Sequence, residues 1–114
     1  MNMRIAILTL ACIGSGCASY SERQAHEPWA VVETTKTPDD YVRCIAPLVR
    51  DLWPGITVAP DGDATVIALP ASSAGAVLAT ITVEPQSDGS RAAYRSASRI
   101  GNFRKVEAHL QTCK

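Results

Sequence analysis

Aromatic residues are scarce in this chain. One phenylalanine, two tryptophans and three tyrosines among 114 residues are too few for a groove that stacks successive bases on aromatic rings. Net charge is lacking too. Eleven Lys and Arg offset eleven Asp and Glu, which excludes a strongly basic nucleic-acid binder. The two histidines, His26 and His109, stand far apart, no serine occupies a nucleophile elbow, and no glycine-rich phosphate loop is present. An enzyme acting on envelope material would have no nucleophile in sight, and neither a cofactor nor a small-molecule substrate is implied. Internal repeats are absent. No apolar run approaches the about 20 residues needed to cross a hydrocarbon core as a helix.

What the chain does have is concentrated at its start. Met1 to Gly16 carries one positive charge (Arg4), a compact apolar run (Ile5 to Ile13) and then Gly14, Ser15 and Gly16. A charged start, a brief apolar stretch and small residues before a cut site make up a secretory signal peptide, which takes no part in the fold. The residues Ile13-Gly14-Ser15-Gly16-Cys17 resemble the lipobox of bacterial lipoproteins, cut by a signal peptidase II immediately before cysteine. Gly14 departs from the leucine more common at that position in the family. The resemblance covers only about the first seventeen residues. It implies that Cys17 receives a diacylglycerol thioether, and that its freed amine is acylated with a palmitate-like chain. Alanine rather than aspartate follows the cysteine (Ala18), which by the same resemblance implies the outer membrane, with the domain facing the periplasm. A rival cut after Ala18, with Gly16 and Ala18 as the small residues, would instead release a soluble periplasmic or secreted protein.

Read this way, the cysteines sort themselves. Cys12 leaves with the signal, Cys17 is lipidated, and Cys44 and Cys113 remain to pair in an oxidising compartment. A metal site on Cys113 and His109 would need ligands the sequence does not offer. The formal charge is zero, so loss of Arg4 leaves the mature chain about one unit negative, and its length suits one small domain.

Residues 17–36 are polar, aperiodic and interrupted by Pro28, and read as the lipidated N-terminus and a tether. Within them only Trp29 to Val32 is apolar: a docking contact on the domain, a grip for a partner, or an edge strand. The domain proper is expected over 37–114. Thr37-Pro38-Asp39-Asp40 is a helix start, with a capping hydroxyl, a proline at the first helical position and acids at the positive end of the dipole. Tyr41, Cys44, Ile45, Leu48 and Leu52 then recur at helical spacing up to Trp53, and Pro47 predicts a kink or break. Four strands follow: Ile56 to Ala59, Ala64 to Leu69, Ala76 to Val83 and Arg91 to Arg95, separated by Pro60-Asp61-Gly62-Asp63, a small-residue loop (Pro70 to Gly75) and Pro85 to Ser90. A second helix, from Ser98 or Arg99 to Cys113, carries Ile100, Phe103, Val106, Leu110 and Cys113 on one stripe, with Gly101 placing its start in question. The expected fold is α+β: a four-stranded antiparallel sheet packed by two helices on one face (α-β-β-β-β-α), the helices joined by a Cys44–Cys113 disulfide.

Candidate chemistry is thin. Asp61 and Asp63 flank Gly62 as a hairpin turn demands, so they read as turn residues before calcium ligands or an acid–base pair. Arg91, Arg95, Arg99, Arg104 and Lys105 make the last third locally basic, and Trp53 continues the apolar stripe as a core plug. Trp29, Arg91 and Arg95 are the candidate partner-binding residues. The functional expectation is a lipoprotein held to the membrane, with a non-enzymatic binding or structural role toward an envelope protein, such as an accessory of a secretion assembly. The alternative is a binding inhibitor of a cell-wall hydrolase, acting through a loop such as Pro70 to Gly75.

Overall fold

The computed structural model describes residues 20–71 and 76–114. The expected signal (1–16), the lipidation residue Cys17 and positions 72–75 of the small-residue loop lie outside the described residues. Among the described residues three helices and five strands follow in the order α1 (Tyr20–Ala25), β1 (Ala30–Thr34), α2 (Pro38–Leu52), β2 (Thr57–Asp61), β3 (Ala64–Pro70), β4 (Val77–Gln86), β5 (Gly89–Ser96) and α3 (Asn102–Thr112). All five strands join one antiparallel sheet in the order β1-β5-β4-β3-β2.

The α+β class and the disulfide between two helices match expectation. The sheet, however, has five strands rather than four, and a third helix precedes it. Both additions come from the polar stretch read as tether. β1 pairs with β5 from Ala30↔Tyr94 to Thr34↔Ser90, so the folded unit begins upstream of Thr37. Too few residues alternate there to betray a strand; the open ladder of β5 supplies what local pattern does not. Gly89 sits where β1 leaves the sheet. A β-carbon on it would lie 2.0 Å from the Thr34 carbonyl oxygen, so only glycine lets the two backbones approach.

Local chemistry explains most of the other elements. Thr37 caps α2, its hydroxyl accepting from the Asp40 amide at 3.2 Å, with Pro38 in the first turn. Helix α2 is continuous through Pro47, where a kink or break was expected. Pro47 and Arg43, whose carbonyl the ring displaces, both lie on the exposed side, where water can take over the lost bond. Gly62 has φ of +61° and opens the two-residue turn between Asp61 and Ala64, as the first position of a type II′ hairpin requires. Pro85, expected in a turn, is paired within β4. Because the β3–β4 ladder ends at Thr65↔Val83, Pro85 has a strand neighbour on one side only, Ser90 of β5. Helix α3 begins after Gly101, and Ile100, expected on its buried stripe, is 72% exposed. Gly101, at φ +61°, turns the chain before the helix starts and takes Ile100 off its face.

Helices α2 and α3 cover one face of the sheet. Tyr41, Ile45 and Val49 of α2 and Val106 and Leu110 of α3 meet Val32, Ile67, Leu69, Ala79, Ile81, Val83, Ala92 and Tyr94 in one buried cluster. Trp53 packs on Phe103 at its rim, ring centroids 5.0 Å apart. The end of α3 is held three ways. Cys113 is bonded to Cys44 across a Cα separation of 5.8 Å, the Tyr41 hydroxyl donates to the Leu110 carbonyl at 2.7 Å, and Lys36 Nζ donates to the Cys113 carbonyl at 2.6 Å. Carbonyls in the last turn of a helix lack partners within it, so these donors complete it.

Two outcomes follow. Cys113→Ser opens a loop whose ends are 69 residues apart and should lower stability by about 4 kcal/mol on the chain-entropy account, read by urea denaturation, and leave Cys44 open to alkylation. Burial pushes the phenol of Tyr41, and mainly burial that of Tyr94, from 10.0 up to about 12. Between those values the unfolded chain gives up protons that the folded chain keeps, so stability is full below pH 10 and falls as pH rises toward 12. Tyr41→Phe combined with Tyr94→Phe should flatten that alkaline limb in denaturant titrations on either side of pH 10.

Candidate functional site

The face of the sheet opposite α2 and α3 is where the polar N-terminal stretch lies. Thr80 and Thr82 alternate with the core residues Ala79, Ile81 and Val83, so they point to this outer face. Thr80 is nonetheless fully buried. The amide of Gln24 on α1 clasps both hydroxyls, accepting from Thr80 at 2.8 Å and donating to Thr82 at 2.9 Å. One residue earlier, the Arg23 guanidinium donates to the Val77 carbonyl at 3.3 and 3.4 Å. Six residues are too few for a helix to persist alone; these contacts hold α1 on the sheet.

Beyond α1 the chain crosses β5 to reach β1. Arg95 Nε donates to the His26 carbonyl at 2.8 Å, the Trp29 amide to the Tyr94 carbonyl at 2.7 Å, and the Trp29 indole to the Ser96 carbonyl at 2.6 Å. Arg99 lies over the Trp29 ring, 4.8 Å from its centroid, a cation–π contact. Its guanidinium is also gripped by both Glu107 oxygens at 3.0 and 3.2 Å. The hydrogen bond to Glu107, reinforced by its charge, makes Arg99 hold its proton more firmly than usual. Arg23, His26, Trp29 and Ser96 line a recess of about 530 Å³ at this end of the sheet.

Two of the three candidate binding residues, Trp29 and Arg95, are thereby brought to one end of β5. Arg91 is placed apart, toward the other end, opposite Glu33 and Glu84 in the ladder and 3.1 Å from the Glu84 carboxylate. Asp61 and Asp63 border the exposed β2–β3 turn. The Cys113 sulfur is committed to the disulfide, and among the described residues no three His, Cys, Asp or Glu side chains converge as metal ligands. Among them, too, every buried side-chain nitrogen and oxygen has a hydrogen-bond partner. What the arrangement offers is a surface: an indole 48% exposed, Val31 41% exposed beside it, and Ile100 following the stacked Arg99.

Sequence reasoning missed Arg23 and Gln24. Their only trace was the polar side of the Thr80–Thr82 alternation, which does not say what covers it. Comparison with protein-family models, curated proteins and solved structures found no match for the chain.

The clasp can be tested. Gln24→Ala would leave the buried Thr80 hydroxyl without this partner, and should destabilise the domain by about 1–3 kcal/mol and accelerate amide exchange across α1. Unchanged exchange would show that α1 is held by other contacts.

Proposed function

We propose that this chain is a lipid-anchored module of the bacterial cell envelope, tethered through Cys17 and serving a binding or structural rather than a catalytic role. The observation that carries the reading is the Cys44–Cys113 bond. It accounts for both cysteines downstream of Cys17 and suits an exported protein, since such bridges persist in oxidising compartments. Cys17 is then the cysteine with no partner downstream, at the end of Ile13-Gly14-Ser15-Gly16, the place where the lipobox resemblance puts the acylated residue. Ala18 favours the outer membrane, facing the periplasm. No helix among the described residues is long and apolar enough to cross a membrane. A binding role draws support from the exposed Trp29 surface. An accessory that holds an envelope protein near the membrane suits such a surface.

Several acyl chains, each buried methylene contributing about 0.8 kcal/mol, anchor a small domain durably. Cys17→Ser should therefore move the protein from the detergent phase to the aqueous phase in phase separation of whole-cell extracts. Unchanged partition would sink the assignment. Crosslinking in intact cells should recover an envelope protein; recovery of lipid or glycan alone would count against the accessory role.

A further inference from the structure

Resting on the reading of Cys17 as the lipid anchor, we infer that the domain does not hang on a long leash. It lies against the bilayer, with the Trp29 end of its outer sheet face touching the lipid headgroups. Tyr20, the first residue of α1, follows Cys17 by three positions. Whatever their conformation, three residues reach only about 10 Å. Arg23 and Gln24 are already fastened to β4, so the chain is part of the fold within seven residues of the anchor. A twenty-residue tether, as the polar composition suggested, does not exist in this geometry.

The same attachment selects the face. Helix α1 lies on the outer side of the sheet, so the bilayer is on that side and the α2 and α3 layer points away from it. Arg23 shares a recess with Trp29, placing the anchored end of the chain and the indole on one part of the surface. Among the described residues four large apolar side chains are exposed, and Trp29, Val31 and Ile100 are three of them. Val31 alternates with the buried Val32 and so faces outward; Ile100 is joined to Arg99, which covers part of the indole. Tryptophan with aliphatic neighbours and arginine is the composition that settles at a membrane interface. Glu107 offsets the charge of Arg99, while Arg95, bonded to the neutral His26 carbonyl, keeps its own; the contact proposed is the apolar one, and neutral lipid is the surface that tests it.

The test uses the acylated protein, purified from membranes and placed in phosphatidylcholine vesicles. Trp53→Phe leaves Trp29 as the remaining tryptophan of the two in the chain. On vesicles its quenching by iodide should fall roughly twofold or more relative to the unacylated Cys17→Ser protein in solution, and bromine-labelled lipid should quench it. A flexible Gly-Ser insertion of about twenty residues after Ala18 gives a reach of roughly 25 Å and should restore iodide access. The two-tryptophan protein provides the same comparison if Trp53→Phe disturbs the contact with Phe103. Iodide access on vesicles equal to that of the unacylated protein in solution, in protein that carries the lipid and floats with the vesicles, overturns the inference alone. Protection that appears only after envelope proteins are added overturns it in favour of a protein partner. Absence of acyl mass on Cys17 defeats the anchor reading itself, and the inference with it.

Discussion

The last turn of α3 is the point on which the fold depends. An amphipathic helix of eleven residues does not persist alone in water; it is held by the burial of Val106 and Leu110, with Phe103 packed beside them, and by contacts at its end. Three chemically different contacts converge on its end: the Cys44 sulfur, the Tyr41 hydroxyl and the Lys36 ammonium. Two of these groups stand on α2 and the third on the segment leading into it, so the same contacts orient α2, and through it the covered face of the sheet. Lys36 is itself positioned by the sheet, because its carbonyl accepts from the Ser90 hydroxyl at 2.8 Å. A few polar contacts set around a disulfide thus fix the position of the helix pair over the apolar face of the sheet.

The two faces of the sheet are stabilised by different physics. Beneath α2 and α3 the contacts are apolar and depend on area removed from water. On the outer face a single amide bonds two threonine hydroxyls, one of them fully buried, and with Arg23 on the Val77 carbonyl it holds α1 to the sheet. This division bears on function. The apolar face is occupied by the domain's own helices, and the outer face, polar at its centre and apolar at the Trp29 end, is the part left to meet something else. If Cys17 carries the lipid as proposed, its short connection to α1 would turn that face toward the membrane, and the anchor and the proposed contact surface would belong to one arrangement.

Much of the fold was legible from local chemistry. Thr37-Pro38-Asp39-Asp40 starts α2 as a capping hydroxyl, a proline and two acids should, and Asp61-Gly62-Asp63 turns the first hairpin because glycine alone reaches positive φ there without strain. The alternation of Ala79, Ile81 and Val83 marked the inward side of β4. Other elements left no such signature. Strand β1 owes its existence to the open edge of β5, α1 to the threonines beneath it, and Ile100 was misplaced because Gly101 redirects the chain at a single residue. Pro47 predicts a kink or a break and Pro85 a turn, yet α2 runs on through the one and β4 through the other. Each occupies a site where its missing donor falls on an exposed or unflanked side, and only the packed structure defines which sides those are.

By itself, then, the sequence determined those features whose causes lie within a few residues or in counting: the caps, the hairpin turn, the inward stripes, the pairing of Cys44 with Cys113, and the expectation of a lipid at Cys17. Tertiary structure decided how the polar segment after Cys17 is used. Composition says that such a segment cannot form a core of its own. It cannot say that an existing sheet offers hydroxyls and a free edge to which Gln24 and Ala30–Thr34 can bind, because those partners stand more than fifty residues away in the chain.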